Sequence, residues 1–161
     1  MRSRDFLSKL FWQGKLDLVE SSREIMLSYV GKSEDCLRAA KLLYDNSLFE
    51  NSMISSYYAM YNLLTALLFR IGIKCENHLG SIILLEEIFE NKDLYKKILF
   101  AKKERIDGQY YVVNKFGEGV AKDMLELSED FALEMKLFIE DLNDGDIGRY
   151  REKIGSLFKG F

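Results

Sequence analysis

The sequence predicts an all-α fold, an antiparallel helical bundle of about five helices plus a short C-terminal helix. Three observations predict it. No proline occurs in the 161 residues, and proline breaks helix interiors, so long unkinked helices are permitted. Apolar residues recur at steps of three and four through several long segments, the period of one helical face. No stretch alternates apolar and polar residues as a half-buried strand does; residues 110–113 (Tyr-Tyr-Val-Val) are β-prone but too short to argue for a sheet.

The first predicted helix covers residues 23–46. Ser21 and Glu24 have the capping-box spacing at its start, and Ile25, Tyr29, Cys36, Ala40 and Leu43 share a face, with Gly31 as an interruption. The second covers 50–71 and stops at Gly72, a good C-terminal signal. Met53, Ile54, Tyr57, Tyr58, Tyr61, Leu64, Leu67 and Leu68 cover much of its circumference. A helix that apolar sits centrally or forms an oligomer interface. The third, 78–90, is capped by Asn77 and keeps helical spacing through Leu79, Ile82, Ile83 and 86–89. The fourth, 92–106, ends ahead of Gly108. The fifth, 118–142, carries the clearest stripe: Val120, Met124, Leu127, Phe131, Met135, Phe138 and Leu142. Residues 143–145 break it, and a short helix over 147–158 closes the fold. We expect one domain over 1–161 with its core at about 20–142.

Composition narrows the function classes. With 48% hydrophobic and 30% charged residues the chain is globular rather than disordered. A net charge of -3 argues against a protein that coats nucleic acid non-specifically, which needs a basic excess to neutralise phosphates. Two cysteines, Cys36 and Cys75, cannot build a disulfide framework and fit a reducing cytoplasm. The opening Met1-Arg2-Ser3-Arg4-Asp5 leads into no signal-peptide pattern. The most apolar run, 57–69, is short of the roughly 20 residues of a membrane span, so no membrane partner is expected.

The fourth helix holds the least ordinary chemistry. At 100° per residue, Leu94, Ile98, Ala101 and Arg105 fall within about 60° of one another, while Lys92, Lys96 and Lys103 cluster opposite. Residues 92–105 hold six basic and two acidic side chains in an otherwise acidic chain. The lysines read as a solvated face or as a weak phosphate track. Arg105, on an apolar stripe, must be paired or reach past the core edge. It either forms a structural pair with Asp107 at a helix end or grips phosphate through its planar fork. His78 is the only histidine. At a helix start the amides favour its neutral form. With Cys75 it supplies two ligands, and with distant Cys36 a third, where a structural zinc takes four. No metal or cofactor is therefore expected, and a capping or structural histidine is the simpler reading. There is no phosphate-binding loop and no nucleophile elbow. Asp123, Glu126, Glu129, Asp130 and Glu134 lie on the polar side of the fifth helix as a solvated face.

Several blocks together resemble a known family. They are Ala39-Ala40-Lys41-Leu42-Leu43, Ser56-Tyr57-Tyr58-Ala59-Met60-Tyr61, the apolar stretch to Leu68, Gly72-Ile73-Lys74, His78 opening a helix, and Arg105-x-Asp107-x-x-Tyr110. Residues 14–18 add to them. Over roughly residues 10–140 the chain resembles HEPN proteins, above all the small prokaryotic branch. The resemblance implies a helical bundle, commonly a homodimer, in toxin–antitoxin or RNA-directed defence systems. Many such proteins are metal-independent endoribonucleases, and others are partners of a minimal nucleotidyltransferase. The ribonucleases carry an arginine, four to six residues, then a histidine. Here those positions after Arg105 are Tyr110, Tyr111 and Val112, and His78 precedes Arg105. Tyrosine, with a pKa near 10, is a poor general base at neutral pH.

Three functions follow. The first is a HEPN module with a degenerate catalytic motif, dimeric, acting with a nucleotidyltransferase or binding nucleotide or RNA. The second is an endoribonuclease that uses Arg105 and Tyr110 as catalytic residues. The third is a structural adaptor with the second helix as its interface. The expected phosphate- or nucleotide-binding residues are Lys103, Arg105, Asp107, Tyr110 and His78. Tyr110 is also the expected acceptor if a partner transfers nucleotides to a tyrosine.

Overall fold

The computed structural model describes residues 3–110 and 117–159, and the side chains of all of these except 107–110. Their elements, in order, are α1 (Ser3–Trp12), β1 (Leu16–Leu18), α2 (Arg23–Asp45), α3 (Phe49–Ile71), β2 (Ile73–Cys75), α4 (His78–Glu87), α5 (Lys92–Tyr110), α6 (Glu118–Glu140) and α7 (Asp144–Lys159). The all-α prediction holds: the one sheet among the described residues is a two-stranded antiparallel clasp, with Leu16 opposite Cys75 and Leu18 opposite Ile73.

The apolar circumference of the second predicted helix is explained by position. α3 packs against α2, α4, α5, α6 and α7. Met53, Tyr57, Met60, Leu63, Leu64, Leu67 and Ile71 are all 2% exposed or less. Of the two places such a helix can take, it takes the centre, with Tyr58 left exposed on its outer side. α2 lies antiparallel along it through small residues. The Ser33 hydroxyl donates to the Ala59 carbonyl at 2.6 Å and the Ser52 hydroxyl to that of Ala40 at 2.7 Å. Each such bond satisfies a polar group that the close approach buries. α6 runs antiparallel to α2, tied by Lys136–Glu34 (2.8 Å) and Lys41–Glu129 (3.2 Å).

Several expectations are corrected at element ends. Ser22, not Ser21, caps α2, its hydroxyl accepting from the Ile25 amide at 3.1 Å. Ser21 instead donates its hydroxyl to the Arg70 carbonyl at 2.6 Å and ties the start of α2 to the end of α3. Gly31 lies within α2 without ending it. Gly108 does not stop α5, which runs on to Tyr110; an interior glycine costs a helix about 1 kcal/mol and is no barrier where neighbouring turns hold. On α6 the buried stripe begins at Ala121, leaving Val120 37% exposed. On α2 the buried positions are Met26, Ser33 and Ala40, and Ile25 faces out. Of the β-prone run, residue 110 ends a helix and 111–113 lie outside the described residues.

α1 and the clasp went unpredicted. Leu7 and Leu10 of α1 and Leu16 of β1 join the core, which thereby starts ahead of residue 20. The turn after α3 is held by Gly72, at φ 88° in the left-handed region, and by Arg151 of α7. Arg151 Nη1 donates to the carbonyls of Val19 (2.8 Å), Ile71 (2.9 Å) and Gly72 (3.1 Å). Among the described residues, no helix is long and apolar enough to cross a membrane.

Candidate functional site

Residues from three helices meet where α3 passes the start of α4 and the later turns of α5. Tyr57 is fully buried on α3. Its hydroxyl lies 2.8 Å from His78 Nδ1, and the Arg105 guanidinium sits over its ring at 4.8 Å. One tyrosine thus touches both the only histidine and the arginine of the apolar stripe. Leu94, Ile98 and Ala101 are fully buried as the helical wheel requires. Arg105, next on that stripe, is half-buried at the core edge. Its charge rests on aromatic faces, Tyr57 and, at 5.7 Å, the exposed Tyr58. Such cation–π contacts are each worth about 0.5–1 kcal/mol where water still reaches.

His78 is the first residue of α4, behind Asn77, whose side chain accepts from the Gly80 amide at 2.8 Å. Its ring stacks on Tyr61 with centroids 3.8 Å apart and planes 13° from parallel. Burial lowers the His78 pKa, and the charges of Arg105 and Lys102 lower it further. The imidazole is therefore neutral at pH 7. Burial pushes the Tyr57 phenol well up, against a smaller opposing effect of Arg105. A phenol that keeps its proton can donate to Nδ1, leaving the Nε2 proton outward; in the other tautomer it accepts and Nε2 is a base. Beneath them the Tyr61 hydroxyl is 3.4 Å from Ser81 Oγ.

His78 and Arg105, far apart in sequence, are brought together. Lys103 is exposed and lines an open cleft of about 560 Å³ with Lys96, Leu99, Phe100 and Ile106. The lysine whose charge bears on His78 is its neighbour Lys102. Asp107 and Tyr110 belong to the last turn of α5, and their side chains lie outside the described residues, as does the expected Arg105–Asp107 pair. The Cys75 thiol donates to the Asn77 carbonyl at 3.4 Å while His78 turns to Tyr57, so the Cys-x-x-His pair shares no common centre. On α6, Glu129 and Glu134 are held by Lys41 and Lys97.

Sequence reasoning passed over Tyr57, Tyr61 and Lys102. The signal is the spacing of Tyr57 and Tyr61, one turn apart, which places two phenols on one face of α3 and reads equally as core. Lys102 differs from Lys103 only by a 100° rotation on the helix.

The HEPN domain family profile matches residues 26–137. The chain belongs to the HEPN domain family. A UPF0332 protein of Thermotoga maritima is 29% identical over 116 residues, covering 69% of this chain and 88% of the relative. A UPF0332 protein of Gloeobacter violaceus is 30% identical over 84 residues, 49% of this chain and 67% of the relative. A protein of Methanocaldococcus jannaschii named "Putative toxin" is 24% identical over 124 residues, 74% of this chain and 92% of the relative.

Proposed function

We propose that this HEPN domain binds the phosphodiester of RNA, or of a nucleotide, at the Arg105–His78 site, and that it does so within a toxin–antitoxin pair. The observation that carries the proposal is Tyr57, which holds a guanidinium on its ring and an imidazole on its hydroxyl. A fixed arginine with a neutral histidine at a helix N-terminus is a phosphate-binding arrangement: the first supplies charge, the second a directional donor, and the helix end favours an anion. The toxin–antitoxin setting is supported by family membership and by the name of the archaeal relative. The test is equilibrium binding of a single-stranded hexaribonucleotide. Arg105→Ala should weaken it at least tenfold, the loss of one charge-assisted contact. Equal affinity of the two proteins would refute the site.

A second reading is favoured by the neutral state of His78. In the tautomer with Nε2 free, His78 takes the proton of a ribose 2′-hydroxyl as that oxygen attacks the adjacent phosphorus. The 5′-oxygen leaves with a proton from solvent, and Arg105 stabilises the charge gathering on the phosphoryl oxygens. This is metal-independent endoribonuclease chemistry with His78, rather than Tyr110, as the base. Cleavage that survives His78→Ala would overturn it.

The partner reading belongs to the same proposal: a homodimer acting beside a nucleotidyltransferase, with Tyr110 as acceptor. Light scattering should give twice the 18.8 kDa chain mass. Mass spectrometry after co-expression with an active partner should place an added nucleotide on the peptide around Tyr110. A monomer, or an unmodified peptide, would count against the respective part.

A further inference from the structure

A cleft of about 190 Å³ is lined by Tyr61, whose ring also stacks on His78. Tyr29 of α2, Tyr61 and Phe69 of α3 form its aromatic walls, and Thr65 and Cys75 supply its polar groups. Tyr29 and Phe69 lie near-parallel, 9° apart with centroids at 5.6 Å. Lys74 and Glu76, paired at 2.7 Å, also line it. Lys32 stands 4.5 Å from the Tyr29 ring centroid.

We infer that this cleft receives one unstacked nucleobase of a single-stranded RNA whose neighbouring phosphate lies at Arg105 and His78. The inference rests on the phosphate-binding reading and adds to it the class of substrate. Size is the first ground. The cleft is smaller than the roughly 300 Å³ at which drug-sized sites begin, and a duplex has no exposed ring face to offer it. Chemistry is the second. Sequence-tolerant recognition of single strands is built from aromatic faces on which a base stacks, beside cations that follow the backbone. The aromatic lining, with Lys32 over the Tyr29 ring and the Arg105 charge close enough to act on His78, supplies both parts. Continuity is the third. Tyr61 is common to the two places: it lines the cleft and stacks on the imidazole. A base in the cleft and a phosphate at His78 would thus share Tyr61 as a common wall. A free phosphate or a folded duplex would leave the aromatic walls bare.

The experiment is an abasic scan. A hexaribonucleotide is made with one abasic residue at each position in turn, and its affinity for the full chain is measured by fluorescence anisotropy. One position should lose about tenfold in affinity, the worth of one stacked base, and the others much less. Tyr29→Leu should bring intact RNA to the affinity of that abasic RNA and erase the positional effect, while Tyr29→Phe keeps it. Arg105→Ala should weaken every oligonucleotide by the same factor. A flat scan on a protein that still depends on Arg105 would overturn the cleft and leave the phosphate site standing. No binding of any RNA would remove the phosphate site and the cleft with it. Should Tyr29→Leu fail to fold, the scan on the unaltered protein still decides.

Discussion

Gly72→Ala tests how the turn after α3 is held. At φ 88° an alanine pays roughly 1–2 kcal/mol for the left-handed backbone. Its Cβ would also fall inside van der Waals contact of Arg151 Nη1, 2.5 Å from the Val19 carbonyl oxygen and 2.9 Å from the Ser21 nitrogen. The arginine can swing away, but only by giving up its bonds to Val19, Ile71 and Gly72. Losing bonds from a charged, part-buried donor costs about 1.5–3 kcal/mol. The sum is about 2.5–5 kcal/mol, toward the top of what single substitutions do. Gly14→Ala is the control: φ is 69°, and nothing stands within 4 Å of its Cβ. It should cost the backbone share alone, about 1–2 kcal/mol. Urea denaturation of both variants, with Arg151→Ala and the Gly72→Ala/Arg151→Ala pair, measures each share. The double variant should cost less than the sum of the singles, since removing Arg151 relieves part of the clash. Equal losses in the two glycine variants, or a strictly additive pair, would refute the reasoning.

Three further predictions rest on polar groups within the bundle. His78 has a folded-state pKa below its unfolded value of about 6.5, so the unfolded chain binds more protons between the two. Stability should be fully present above about pH 6.5 and fall as pH drops toward the folded value; in His78→Gln that part of the slope should vanish, and an unchanged slope would refute the assignment. Along the α2–α3 seam, Ser33→Ala should cost about 1 kcal/mol by removing the bond to Ala59. Ser56→Ala should be neutral or stabilising in the same urea assay, because Ser56 Oγ is buried without a hydrogen-bond partner among the described residues.

What could be read in advance depended on the range over which a signal acts. α2, α3 and α6 are each 23 residues long, enough for apolar spacing to declare a helix and a buried face. α1 has ten residues and only Leu7 and Leu10 deeply buried among its large apolar side chains, too few to establish a period. β1 and β2 have three residues each, and what fixes them is their pairing across more than fifty positions of chain. The capping correction is of the same kind. Ser21 and Ser22 offer the same hydroxyl one residue apart, and the Arg70 carbonyl, distant in sequence, decides which one is drawn away from the cap.

The site follows that rule in a stricter form. Counting residues after Arg105 searches along α5, and the search returns tyrosines where a histidine is wanted. A central helix does not respect that order. α3 packs against both α4 and α5, so a large residue facing the seam between them touches the start of one and the far half of the other. Tyr57 is that residue. Its burial keeps the phenol protonated, the bond keeps His78 oriented, and burial, with the positive charges nearby, keeps the imidazole neutral. Each condition favours the next, and none is visible in the spacing of Arg105 and His78. In this chain the arginine has no histidine behind it, yet Tyr57 on α3 and the histidine that opens α4 bring the two side chains together.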